Sequence, residues 1–206
     1  MAEKKTLRAS EQERADVKEK RTFWIQKQPT LDLDHLVFFD ESGAKTNMTR
    51  RYGRVIGGGR VFDSAPFGHW CTTTMLSSIR LDGTYACMVV DGPTDQEVFR
   101  EYVRCILAPS LRPDDIVILD NLRVHKDKKA KQYIEDKHAT LSFLPPYSPD
   151  LNPIEKMWSK IKEFLRNGKA RNPENLFTTI GAAFKTVTAQ DATGWFRSCG
   201  YTASQD

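Results

Sequence analysis

The sequence has no C-x-x-C pair and no H-E-x-x-H, although it holds four cysteines and four histidines. Cys71, Cys87, Cys105 and Cys199 are scattered, as are His35, His69, His125 and His138. That spacing argues against a zinc site and predicts thiols that serve plain packing in a reducing compartment. No apolar run approaches the roughly 20 residues that a membrane helix needs. The N-terminal "MAEKKTLRASEQERADVKEKR" lacks the apolar core of a secretory signal. A cytoplasmic protein with no membrane partner is therefore expected. Glycine clusters at 57–59, but no G-K-[ST] or G-x-G-x-x-G follows a strand, so neither a Walker loop nor a dinucleotide fingerprint is present.

What is present suits one α/β domain: 206 residues, 39% hydrophobic and 28% charged. The net charge is only +4, but its distribution is uneven. Residues 156–171 carry six basic groups against one acid, and residues 121–137 carry six against three. Each run alone reads as a solvated helix face; each also begins just after a candidate functional carboxylate.

Residues 1–30 read as a charged helix or arm. "LVFF" (36–39) is a continuous apolar run, as in a strand buried on both faces, and it stops at Asp40-Glu41. Residues 42–68 read as a long loop or loose hairpin. "HWCTTTMLSSIR" and "TYACMVV" flank "LDG" and predict a hairpin. Thr94, with Glu97 three residues on, predicts a capping box and a helix. "IVIL" (116–119) is a second buried strand that stops at an acid, Asp120. A basic helix is expected over about 126–137, a third strand at 139–144, and helices from Pro153 and from Asn172-Pro173.

Asp40 and Asp120 thus take the same place, the first residue after an apolar strand. On parallel neighbours both would emerge at the carboxyl edge of the sheet, where open α/β folds place their sites. The plainer alternative is that each ends its strand by accepting loop amides. Glu155 is likewise open to two readings. With Asn152 at N-cap and Pro153 at N1 it falls at N3, where a carboxylate closes a capping box. It also sits about 100° from Ile154 on the wheel, at the flank of the apolar stripe of Ile154, Met157, Trp158, Ile161 and Leu165. Three converging carboxylates raise one another's pKa unless a cation compensates. Oxygen donors without imidazole or thiolate suit Mg²⁺ or Mn²⁺, and two such ions could clamp a phosphodiester. The neighbouring basic runs would hold a nucleic-acid backbone.

"VFFDESG", "IVILDNLRVHK" and "LPPYSPDLNPIEKMWSKIK" resemble the three signature blocks of mariner-related transposases of bacterial insertion sequences (the insertion sequence 630 type), of the DDE superfamily. Between Asp120 and Glu155 lie 34 residues, the interval associated with that branch. The resemblance covers roughly residues 34–202, including "YGR", "GHW", "TTT" and "LDG" between the blocks. It implies an RNase H-like mixed sheet, three antiparallel strands followed by two parallel ones, flanked by helices, over residues 34–206 behind an arm at 1–33. It also implies that Asp40, Asp120 and Glu155 are the catalytic, metal-binding triad for Mg²⁺ or Mn²⁺, two ions. Asn121 and His125, of the D-N-x-x-x-H pattern, would either support the metal-binding carboxylates from behind or contact DNA. Lys126, Lys156, Lys160 and Lys162 would contact DNA. The implied activity is metal-dependent cleavage of transposon ends and strand transfer into target DNA, commonly at a TA dinucleotide, by a homo-oligomer. Only about 35 residues precede the first strand, too few for the paired helix-turn-helix modules of full-length relatives. A catalytic half is expected, either a second reading frame served by a helix-turn-helix protein from an upstream one or a truncated copy. A standalone metal-dependent nuclease and a non-catalytic DNA-binding remnant are the competing readings.

Overall fold

A computed structural model of the chain describes residues 9–202 apart from Arg51, Arg54 and His69. The first eight residues of the arm, and the arginine and histidine of "YGR" and "GHW", therefore lie outside the described residues. In chain order the main elements are α1 (Ala15–Lys27), β1 (Leu36–Lys45), β2 (Thr72–Ile79), β3 (Tyr85–Asp91), α2 (Gln96–Tyr102), α3 (Ala108–Ser110), β4 (Ile116–Leu119), α4 (Lys128–Glu135), β5 (Thr140–Phe143), α5 (Ile154–Gly168), α6 (Pro173–Phe184) and α7 (Ala189–Ser198). A π-helical stretch, Val103–Leu107, joins α2 to α3. Among the described residues no helix is long and apolar enough to cross a membrane.

The strands form one sheet in the order β3-β2-β1-β4-β5. The β1–β2 and β2–β3 pairs are antiparallel, whereas β1–β4 and β4–β5 are parallel. This is the mixed sheet expected, three antiparallel strands and then two parallel ones. The hairpin between β2 and β3 turns at "LDG", where Gly83 has φ 82 and a Cβ would meet the Ala189 nitrogen at 2.8 Å. Only glycine fits a left-handed turn pressed so closely against another backbone.

Successive side chains of a strand face opposite ways, and the core divides accordingly. Leu36, Phe38 and Ile118 face Ile154, Met157, Trp158 and Ile161 of α5, with α6 and α7 behind. Val37, Phe39, Val117 and Leu119 face Phe99 and Tyr102 of α2 and Ile134 of α4. The five apolar residues of α5 are all buried, and truncating one such residue to alanine costs about 2–5 kcal/mol. The helix stops where Lys169 turns left-handed, φ 47, and donates its N–H back to the Leu165 carbonyl. Helix α1 is part of this core: Trp24 is buried against it, and its Nε1 donates to the Tyr201 hydroxyl at 3.0 Å.

Three local expectations are corrected. Strand β1 does not stop at Asp40 but runs on to Lys45, paired with β2 throughout. The cap of α2 is Asp95, not Thr94: its side chain accepts from the Glu97 and Val98 amides. The basic helix is shorter than 126–137, because Arg123–Lys126 is a separate 3-10 turn and α4 spans Lys128–Glu135.

Candidate active site

Strand β1 pairs with β4 only from Leu36 to Phe38, with Phe38 opposite Ile118. Carrying that register forward two residues sets Asp40 level with Asp120, where β1 and β4 part. Asp40 shares the parity of Phe38 and so faces α5, the helix that carries Glu155, while Asp120 follows the last residue of β4. A cavity of about 610 Å³ opens there, lined by Asp40, Asp120 and Glu155 together with Asn121, Asn152 and the Pro145–Pro149 loop. The three carboxylates predicted from sequence thus border one space, from a strand, a strand end and a helix start.

Their surroundings differ. Asp40 is buried, and Trp158 Nε1 donates to its Oδ2 at 3.1 Å. Burial first, then the charges of Glu155, Glu41 and Asp120, push its carboxyl well above the ordinary range. The Glu155 carboxyl reaches into the cavity mouth: loss of water raises its pKa, Lys162 opposes this, and Asp120 adds to it. Asp120 accepts on Oδ1 from the Leu122 amide at 3.0 Å and from His125 Nδ1 at 2.6 Å. The plainer role, an acid closing a loop turn, is therefore real for Asp120, yet it occupies one oxygen. Among the described residues Oδ2 has no protein partner.

Glu155 does not cap. The Asn152 amide donates to the Pro149 carbonyl at 3.2 Å, and the N-cap of α5 is Pro153, with no side-chain capping bond. The expected Asn152 cap is also absent: its Oδ1 is buried without a partner. A capping box needs both bonds, so the local reading of Glu155 fails and the cavity-facing one stands.

Of the two roles expected for His125, a place behind the carboxylates and a contact to DNA, its surroundings favour the first. Its side chain is fully enclosed, wedged against the rings of Phe39 and Phe99, and cannot touch a DNA backbone. Its Nε2 lies 2.8 Å from Glu41 Oε2 while Nδ1 holds Asp120. Burial alone would lower its pKa, but hydrogen bonds to Asp120 and Glu41 carry it up to about 9. It is an imidazolium at neutral pH that ties two carboxylates together from behind the sheet edge. Sequence reasoning gave Glu41 no role. No local signal offers one, since its partner lies 84 residues away.

The predicted DNA contacts divide. Asn121, Lys126 and Lys156 are exposed, and Asn121 lines the cavity. Lys162 is half-buried beside Glu155. Lys160 is engaged internally: its Nζ donates to the Thr186 carbonyl at 2.8 Å and to Asp191 at 2.5 Å, joining α5 to α7.

Among the described residues no three His, Cys, Asp or Glu side chains close on one point as a finished ligand set. The fit to a divalent cation lies in donor chemistry. Carboxylate oxygens without imidazole or thiolate face one cavity, and their mutual charge already perturbs Asp40 and Glu155. Such a donor set suits a hard ion such as Mg²⁺ or Mn²⁺.

Residues 35–176 match the family described as DDE superfamily endonuclease. The Tcb2 transposase of Caenorhabditis briggsae is 31% identical over 102 residues, which is 48% of this chain and 37% of that protein. The Tc1 transposase of Caenorhabditis elegans is 31% identical over 68 residues, 33% of this chain and 25% of that protein. The chain thus spans about a third of the curated transposases it matches. Among solved structures, the Mos1 transposase paired-end complex with left transposon end has a TM-score of 0.73 at 13% identity, covering 97% of this chain and 64% of that one. The catalytic domain of Mos1 mariner transposase has a TM-score of 0.63 at 14% identity, covering 95% and 91%. At such identities the likeness establishes the fold, which is the RNase H-like one expected.

Proposed function

The chain belongs to the DDE superfamily of endonucleases, and on that premise we propose that it is the catalytic domain of a transposase, cutting DNA and joining the freed 3′-hydroxyl to target DNA. The observation that carries this is the single cavity bordered by Asp40, Asp120 and Glu155. The same reading makes those three the residues that hold Mg²⁺ or Mn²⁺, two ions in all. The crystal structures of the Mos1 paired-end complex with Mn and with Mg support the choice of metal. Held by Asp40, Asp120 and Glu155, such an ion would supply Lewis-acid chemistry at the phosphodiester and at the attacking oxygen. The residues of the chain do the positioning. Asp120 is fixed from behind by His125, Asp40 is enclosed against α5, and Glu155 is delivered by the first turn of that helix. Asn121 lines the cavity, and Lys126 and Lys156 are exposed close in sequence to Asp120 and Glu155, so in this reading they meet a phosphate backbone.

The substrates in this reading are transposon ends and a target with a TA dinucleotide. The active form is a homo-oligomer, and helix-turn-helix modules read the ends. A strand-transfer assay with those modules added tests it. Products joined to target support a transposase; nicks without joining point to a nuclease; retention of DNA without cleavage points to a binding remnant.

A further inference from the structure

Trp158 is buried, three residues after Glu155 on α5, and its one polar atom meets Asp40 at 3.1 Å across 118 residues of sequence. A buried indole N–H needs an acceptor, and here the acceptor is the most deeply enclosed carboxylate of the cavity. The bond falls on Oδ2 and is the side-chain hydrogen bond that this carboxyl receives among the described residues, beside the backbone amide of Glu41. The indole is itself fixed: its ring stands edge-on to Phe184 of α6, centroids 6.0 Å apart. Helix α5 therefore delivers two things at once, Glu155 to the cavity mouth and a rigid donor to Asp40 at the cavity floor. A shift of that helix moves both.

We propose that Trp158 is a positioning residue: it holds one oxygen of Asp40 so that the other is presented to the cation. The inference rests on the reading of Asp40 as a metal ligand. Groups that orient a ligating side chain typically change metal affinity by about 10–100-fold when removed.

The test is Trp158→Phe, which keeps an aromatic ring and removes the N–H. Mn²⁺ binding is measured by calorimetry on the full chain, and folding by far-UV circular dichroism. Phe184→Leu is the control, since it loosens the same packing and leaves the indole N–H in place. Weakening of Mn²⁺ binding by about tenfold in Trp158→Phe is expected, with Phe184→Leu near the parent. In an Asp40→Asn background, Trp158→Phe should weaken binding no further, because the oxygen it orients has been changed. A second readout needs no metal: in ¹H–¹⁵N spectra of the parent, the Trp158 indole resonance should move on Asp40→Asn. Parent binding that is unaltered in a folded Trp158→Phe overturns the inference alone. Equal weakening by Phe184→Leu, or an indole resonance indifferent to Asp40, also overturns it. A parent chain that does not bind Mn²⁺ at all overturns both the inference and the carboxylate reading beneath it.

Discussion

Replacing His125 with phenylalanine preserves the ring shape wedged between Phe39 and Phe99 and removes both nitrogens that hold Asp120 and Glu41. Each hydrogen bond to a charged group is worth about 1.5–3 kcal/mol. Taken at face value, losing two would cost roughly 3–6 kcal/mol. The partners moderate this, because the Asp120 and Glu41 side chains are 37% and 20% exposed and can recover water. A cost of about 2–3 kcal/mol follows, below the 3–5 typical of breaking a fully buried ion pair. For a chain of this size each kcal/mol lowers the melting temperature by about 2–4 °C, so a fall of roughly 4–12 °C is expected. The assay is a thermal melt at pH 7 in a chelator, which removes any contribution from metal. A variant that melts within about 1 °C of the parent, or above it, would refute the claim that a buried imidazolium braces this edge.

Two further predictions concern charge. Lys160→Gln should lower stability by about 1 kcal/mol, since it breaks a half-exposed pair with Asp191 and a bond to a carbonyl. Replacing Lys156 and Lys162 together should instead weaken DNA binding and flatten its salt dependence; gel shifts over a salt series, alongside melts, separate the two effects. Asp127 is held below the ordinary carboxylate range, first by Arg100, with the Ala130 amide and Gln96 adding to it against burial. A depressed folded pKa contributes stability that is present above the unfolded value of about 4 and is lost as pH falls below it. Asp127→Asn should therefore shallow the acid limb of the melting profile, and an unchanged limb would count against that ion pair.

The centre of the sheet was legible because β1 and β4, where they pair, are buried on both faces and read as unbroken apolar runs: "IVIL" is β4 to the residue. Helix α5 was legible from its 3.6-residue stripe, whose five apolar members are all buried. The carboxylates stood out because two of them follow such runs. Their surroundings did not. Asp40 lies inside β1 because pairing with β2 continues after β4 ends, and a single sequence does not reveal which neighbour a strand keeps. The roles of Glu41 and Trp158 depend on partners 84 and 118 residues away. Lys160 looked like its neighbours in a basic run, and only the placement of α7 sets it apart. Local pattern carried the elements; long-range contact decided what each polar side chain does.

Glu155→Gln tests the central claim most directly. Glutamine would serve a capping box as well as glutamate, but it removes a charge and a good cation ligand from the cavity. Mn²⁺ at about 100 times its Kd should stabilise the parent by about 2.7 kcal/mol, a rise of roughly 5–11 °C in melting temperature. Melts with and without Mn²⁺, paired with a DNA-nicking assay on the same preparations, should find Glu155→Gln folded, with a much smaller Mn²⁺ shift and no nicking. Normal nicking with an undiminished Mn²⁺ shift would contradict the assignment of Asp40, Asp120 and Glu155 as one catalytic site.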